Sequence, residues 1–296
     1  MKIFSGRSNK KLAENIAKKL DIEFGAVELS RFTNNECRVW IKDQVPEKVI
    51  LLQSFSNPVD HHIIEFCLMA DALKRKGANE LTAVIPWLGY SKQDKVFRSG
   101  EPLSVKVVAK IIQTTPIRKI LTLDLHNPAI MGFFETPLEN VKASSLFLEF
   151  FKKELNQKDY VIVSPDAGAV KTSTNFANSL DINVAYLNKK RDLETGKVSI
   201  VDIDRDISGK DALIIDDMVV TGSTLLESAK YLKEKGVKSV TVAATHHLFL
   251  DGVQEKIDSS EIDRIIITDS VQKPEKVNSS KLIVLSVGNL IASYLK

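Results

Sequence analysis

The chain has 296 residues, 44% of them apolar, and carries 41 Lys and Arg against 38 Asp and Glu. That is enough chain for two domains with buried cores, and the near balance of charge excludes a nucleic-acid binder whose affinity rests on a basic face. Cys37 and Cys67 stand at unrelated spacing, which indicates neither a disulfide framework nor a zinc site.

Taken in chain order, short apolar runs alternate with helical patterns. Residues 49–52, 81–86, 120–125, 160–164, 212–215, 239–244 and 264–268 read as buried strands. Residues 11–20, 63–76, 105–113, 144–155 and 223–235 read as helices, two of them stopped by Gly77 and Gly236. The alternation predicts an α/β protein with mainly parallel sheets flanked by helices and with ligands at the carboxyl ends of the strands. A boundary is expected near 137–144, giving domains 1–143 and 144–285, with a last helix at 287–295 returning to the first domain. The N-terminal residues run directly into a strand-like segment rather than a secretory signal. No stretch reaches the roughly 18 apolar residues of a membrane span, so a soluble, cytoplasmic protein without membrane or nucleic-acid partners is expected.

The most informative segment is Leu213-Ile214-Ile215-Asp216-Asp217-Met218-Val219-Val220-Thr221-Gly222-Ser223-Thr224-Leu225. An apolar run ends in two carboxylates, and a turn of small residues then opens a helix. The first N–H groups of a helix have no partners within it, so this turn can bind a phosphate, with the hydroxyls of Thr221, Ser223 and Thr224 as further donors. Gly222 permits close approach of the backbone. Asp216 and Asp217 can accept from sugar hydroxyls, and a 5-phosphorylated ribose has both features. The alternative is a solvated, capped loop.

Other segments carry weaker signals. His126, in Asp124-Leu125-His126, stands at a strand end, where it is either a metal or phosphate ligand or a packed histidine. Asp166, in Ser164-Pro165-Asp166, is a second metal ligand or an N-cap. Lys92, Gln93, Lys95 and Arg98 lie in one loop with aromatic residues, a composition that suits a nucleotide or a charged solvent-exposed loop. Asn188-Lys189-Lys190-Arg191-Asp192 is a second basic cluster leading into a turn at 193–197, which either closes over phosphates or is a surface hairpin. The chain has no Gly-rich loop ending in Gly-Lys-Ser/Thr, which counts against a P-loop ATPase.

In this order, from Arg31-Phe32-Thr33-Asn34-Asn35-Glu36 through Leu285-Ser286-Val287-Gly288, the chain resembles the ribose-phosphate diphosphokinases, also called phosphoribosyl-diphosphate synthetases. Members transfer the β,γ-diphosphate of ATP to the 1-hydroxyl of ribose 5-phosphate. The resemblance implies two phosphoribosyltransferase-like domains, with ATP on the first and ribose 5-phosphate on the second. It implies an adenine site from Phe32, Asn34, Asn35 and Glu36, and contacts to ATP from Lys92, Gln93 and Arg98. It implies Mg²⁺ at His126 and Asp166, and a catalytic loop bearing Lys189 and Arg191, the latter also on ribose 5-phosphate. Asp216, Asp217, Val220, Thr221, Gly222, Ser223 and Thr224 would take the sugar phosphate, and a homo-oligomer, dimer or hexamer, is implied. The sequence departs from the family at Asn34 (commonly Asp), Lys92 (usually Arg), Ala167 (frequently His) and Val220 (often a third Asp). The alternatives are a plain type I phosphoribosyltransferase and a non-catalytic regulatory homologue.

Overall fold

The computed structural model describes residues 1–155, 159–166, 168–191 and 198–296, without the side chains of 189–191, 198 and 199. The chain divides into two compact units, the first formed by 1–143, 269–272 and 286–296 and the second by 144–268 and 273–285.

In the first unit the order is β1 (Lys2–Ser5), α1 (Lys10–Leu20), β2 (Glu23–Phe24), β3 (Val27–Arg31), β4 (Cys37–Ile41), β5 (Lys48–Leu52), α2 (Val59–Arg75), β6 (Glu80–Ile85), α3 (Ser104–Gln113), β7 (Ile117–Leu123) and β8 (Leu138–Val141). Six of these strands form one parallel sheet in the order β2-β1-β5-β6-β7-β8, while β3 and β4 pair with each other as an antiparallel hairpin. Strands β5 and β6 are apolar and buried nearly end to end because helices cover the sheet. Helix α1 turns Leu12, Ala13, Ile16 and Ala17 inward, an i, i+4 stripe. Phe55 and Phe66 meet edge to face in the core, with ring centroids 5.4 Å apart.

The second unit runs α4 (Ser144–Lys152), β9 (Tyr160–Ser164), α5 (Val170–Leu180), β10 (Val184–Arg191), β11 (Val198–Ile203), β12 (Asp211–Val219), α6 (Ser223–Glu234), β13 (Ser239–His247), α7 (Val253–Asp258), β14 (Arg264–Thr268) and β15 (Leu282–Leu285). Its sheet has the order β11-β10-β9-β12-β13-β14-β15 and is parallel except for the β10–β11 pair. The last helix, α8 (Gly288–Ser293), packs on α1 in the first unit. There Asn15 Nδ2 donates to Ser286 Oγ at 2.9 Å, and Val287 N–H donates to Asp269 Oδ1 at 2.8 Å.

The expected α/β class with mainly parallel sheets holds. The boundaries differ where polar residues interrupt the apolar pattern. Helix α2 begins four residues before the expected 63, because His62 is buried with its ring nitrogen 2.8 Å from the Ser56 carbonyl. The expected strand 212–215 continues to Val219, so Asp216 and Asp217 lie inside β12 rather than after it. Parallel pairing with β13 holds them there, with Asp216 opposite Ala244 and Met218 opposite His246.

A polar cluster ties the chain after α4 to strands β9 and β14 of the second unit. Arg264 grips Glu154 with both guanidinium nitrogens, at 2.8 and 2.7 Å, and Tyr160 Oη donates to the same carboxylate at 2.8 Å. Removing the carboxylate charge leaves the half-buried guanidinium partly uncompensated. Glu154→Gln is expected to lower unfolding stability by about 1–2 kcal/mol, read as a shift of the urea midpoint with an unchanged slope.

Candidate active site

The second unit presents its polar residues at the carboxyl edge of its sheet. Strand β12 carries Asp216 and Asp217 to that edge, and three residues past its end at Val219 the chain turns at Gly222, whose φ of 72° is the left-handed conformation that glycine adopts without a Cβ penalty. Ser223 then opens α6, a helix of 12 residues, and Leu226 N–H is the first to reach back, to the Gly222 carbonyl at 2.9 Å. The N–H groups of Ser223, Thr224 and Leu225 therefore precede the helical ladder, the arrangement that suits an anion. Thr221, Ser223 and Thr224 are exposed, while Gly222 is buried. Thr221 Oγ1 and Ser223 Oγ hydrogen-bond each other at 3.1 Å, which holds the two hydroxyls side by side. Val220 is half-buried between β12 and this turn.

Asp216 and Asp217 sit in tension. Asp216 Oδ1 accepts the Asp217 N–H at 2.8 Å. Burial first, and then the hydrogen bond and charge of Asp217, push the Asp216 carboxyl up to about 7. Charge on Asp166 adds in the same direction. A carboxyl raised toward neutrality beside a second acid forms a site that gains when hydroxyl donors arrive.

Two further elements reach the same sheet edge. Beyond Tyr186, strand β10 leaves β9 and pairs only with β11, as a two-stranded ribbon in which Lys189 stands opposite Ile200 and Arg191 opposite Val198. The side chains of Lys189 and Arg191 lie outside the described residues, as do Ala167 and the whole expected turn at 193–197. Asp166 is exposed just past β9, and its Oδ1 accepts the Ala169 N–H at 3.0 Å, so it caps the turn leading into α5.

In the first unit, Phe32, Asn34, Asn35 and Glu36 occupy the tip of the β3–β4 hairpin. Sequence periodicity did not disclose this hairpin, because its strands are only half-buried. The tip is well fixed: Phe32 N–H donates to the Glu36 carbonyl at 3.0 Å, Asn34 Oδ1 accepts the Glu36 N–H at 3.2 Å, and Arg31 Nη1 donates to the Asn35 carbonyl at 2.6 Å. The Phe32 ring is 51% exposed, with the Arg38 guanidinium 5.8 Å from its centre, leaving a flat aromatic face for a planar ligand.

The Lys92 loop leaves the carboxyl end of β6. At its base Gly89 has no room for a Cβ, which would meet the Phe55 carbonyl oxygen at 2.9 Å. Lys92, Gln93 and Arg98 are exposed. The Phe97 and Arg98 N–H groups both donate to Glu101 Oε2, at 2.9 and 3.0 Å, which shapes the far end of the loop. Strand β7 stops at Leu123, two residues earlier than expected, because Asp124 takes a left-handed φ of 35°. Asp124 accepts the Ala143 N–H at 3.1 Å, pairs with Lys142 at 3.4 Å, and turns the exposed His126 out past the strand end. His126 and the Lys92 loop thus occupy the carboxyl edge of one sheet.

Among the described residues, no group of three or more His, Cys, Asp or Glu side chains is placed to hold a metal ion. Mg²⁺ does not require one, since it is commonly held by one or two carboxylates together with substrate phosphates and water. The exposed Asp166 carboxylate fits that donor chemistry, whereas the His126 imidazole is a softer ligand than Mg²⁺ prefers.

Residues 1–115 match the family model described as the N-terminal domain of ribose phosphate pyrophosphokinase, and residues 135–279 match the phosphoribosyl transferase domain. A ribose-phosphate pyrophosphokinase of Aquifex aeolicus is 36% identical over 297 residues, covering 100% of this chain and 95% of its own. That of Brucella melitensis is 38% identical over 293 residues, covering 98% and 94%. The crystal structure of phosphoribosylpyrophosphate synthetase from Mycobacterium smegmatis is similar with a TM-score of 0.91 at 32% identity, covering 99% of this chain and 96% of that one. With both halves matched and relatives aligned from end to end, this chain belongs to the ribose-phosphate pyrophosphokinase family.

Proposed function

We propose that the protein transfers the β,γ-diphosphate of ATP to ribose 5-phosphate. The bond formed is from the ribose 1-oxygen to the β-phosphorus; the bond broken joins that phosphorus to the oxygen bridging to the α-phosphate, which leaves with AMP. The observation that carries this reading is the end-to-end match to ribose-phosphate pyrophosphokinases, which takes in the first unit as well as the second. A phosphoribosyltransferase alone would leave the first unit without a task.

The roles follow from the chemistry of each group. The Thr221–Thr224 turn binds the 5-phosphate through N–H and hydroxyl donors, with Val220 shaping its approach. Asp216 and Asp217 accept from the ribose hydroxyls. Phe32 offers its face to adenine, and the polar atoms of Asn34, Asn35 and Glu36 read its edge. Lys92, Gln93 and Arg98 engage the triphosphate. Lys92 provides a point charge where Arg would provide a fork, so its contact is less directional. Lys189 and Arg191 stabilise the charge that develops on the transferred group, which is where a positioned cation lowers a phosphoryl-transfer barrier most.

Members of the family use Mg²⁺. Mg²⁺ would be held with phosphate and water by Asp166 on the second unit and, through its weaker imidazole donor, by His126 on the first, and would neutralise phosphate charge on each. The protein is proposed to act in the cytoplasm as a homo-oligomer, dimer or hexamer. No helix among the described residues is long and apolar enough to cross a membrane, and the exposed apolar side chains Trp40, Ile64 and Leu68 in the first unit support association.

The test is product analysis with Mg²⁺, ATP and ribose 5-phosphate, following AMP against ADP. AMP is expected only when the sugar phosphate is present. ATP consumption yielding ADP would sink the reading, and no turnover at all with both substrates bound would favour the regulatory homologue.

A further inference from the structure

Asn127 has both ends of its side-chain amide engaged. Its Oδ1 accepts the Ala129 N–H at 3.0 Å, capping the short 3-10 turn Pro128–Phe133. That bond orients the amide so that Nδ2 donates to Asp94 Oδ2 at 2.6 Å. Asp94 directly follows Gln93, and Asn127 directly follows His126.

Each of these loops is anchored separately. On one side, Gln93 N–H donates to the Tyr90 carbonyl at 2.9 Å, and Gln93 Oε1 accepts from Ser104 Oγ at 2.7 Å. Tyr90 Oη in turn donates to Asp60 Oδ1 at 2.5 Å, pinning the base of the loop to the start of α2. On the other side, Asp124 N–H donates to the Val141 carbonyl at 3.0 Å, and Leu125 N–H to Asn140 Oδ1 at 3.0 Å. The Asn127–Asp94 bond joins the two anchored loops. A bond from a neutral amide to a carboxylate is among the stronger single contacts a half-buried loop can make.

We propose that Asn127 is a positioning residue for the nucleotide. Through Asp94 it holds Lys92 and Gln93 at a set distance from His126, so that the polyphosphate of ATP meets both loops already aligned. The inference rests on the assignment of these loops to ATP under the proposed function. Its physical basis is preorganisation: without the strut, each loop keeps its own fold but their separation wanders, and binding must pay to fix it.

An exchange of donor and acceptor tests it. Asn127→Asp keeps the acceptor for Ala129 and sets a carboxylate against Asp94. Asp94→Asn keeps an amide–carbonyl hydrogen bond. The double variant N127D/D94N restores an amide–carboxylate pair with the direction reversed. Calorimetric titration with Mg²⁺ and ATP, without ribose 5-phosphate, is expected to show N127D weakened about tenfold, and both D94N and the double variant within about threefold of wild type. Ribose 5-phosphate affinity should be nearly unchanged in all three, while the melting temperature falls in N127D, where two carboxylates meet, and recovers in the double variant. A merely structural role would lower the melting temperature of N127D and leave its ATP affinity at the wild-type value.

ATP affinity in N127D equal to wild type, or a double variant no better than N127D, overturns the proposal. Should N127D fail to fold, the double variant decides: near-wild-type ATP affinity supports the strut, and a tenfold loss refutes it. Wild-type protein that binds ATP but forms no AMP defeats the reaction assignment while leaving this comparison intact.

Discussion

Lys189→Ala is expected to lower kcat by about 10²–10³-fold, with KM for both substrates changed by less than about threefold. The reaction asks little covalent chemistry of the protein. Its barrier lies in bringing a sugar hydroxyl in line with a polyanion and in holding the charge that builds as the diphosphate moves. A cation that touches the group only as it transfers affects kcat. One that binds ATP equally in the ground state affects KM. Lys189 stands on the β10–β11 ribbon, which extends past the sheet edge where Asp216 and the Gly222 turn lie. A ribbon paired on one side only is free of the constraint of a central strand, which suits a group that must meet a transient charge. Steady-state kinetics with each substrate varied will check this. A raised KM with kcat preserved would assign Lys189 to uniform binding. Arg191→Lys should retain more activity than Arg191→Ala, since charge survives and only the planar fork is lost.

What the sequence disclosed and what it hid have physical reasons. Strands β9 and β14, expected at 160–164 and 264–268, have those limits in the structure. Both carry an unbroken apolar run between their end residues, Val161–Val163 and Ile265–Ile267, so the ends stand out. Strand β12 was cut short at 215 because carboxylates are depleted in strands, yet its neighbour β13 supplies the pairing that carries Asp216 and Asp217 within it. The β3–β4 hairpin has no complete alternation, and the residues at its tip were found only through family resemblance. Asn127 and Asp94 gave no signal at all. They are 33 residues apart, in loops without periodicity, and only the fold brings the amide to the carboxylate. The Asp216 to Thr224 segment was legible for the opposite reason, since strand, acids, glycine and helix start are contiguous in the chain.

Asp216→Asn should trade function for stability, and the sign of the trade depends on pH. Burial and the neighbouring Asp217 raise the Asp216 carboxyl to about 7, above its unfolded value near 3.8. A group raised on folding contributes stability that is fully present below its unfolded pKa and is lost as pH rises through the folded value. The wild-type protein therefore loses stability from this group between about pH 4 and pH 7, and at pH 8 it holds an unwelcome charge. Asparagine carries none. At pH 8 the variant is expected to be more stable than wild type by on the order of 2–4 kcal/mol, the gain fading by pH 4. Urea denaturation at the two pH values will measure it; equal differences at both would mean that desolvation of the charge is not the cause.

Binding should move the other way. Ribose hydroxyls donate to a carboxylate and so favour its ionised form, which means that ribose 5-phosphate binding releases a proton near neutral pH and tightens as pH rises from 6 to 8. The ligand's own phosphate also ionises in that range and would tighten binding without Asp216. The variant separates the two effects: it keeps the phosphate contribution, loses the carboxylate contribution, and should bind about 10–100-fold more weakly at pH 8. Calorimetry in buffers of different ionisation enthalpy counts the protons released. If wild type and Asp216→Asn release the same number, Asp216 does not face the sugar, and the raised pKa belongs to the folded strand end alone. If the difference approaches one proton per ligand, the instability of β12 at high pH is the cost of a site poised to receive a diol.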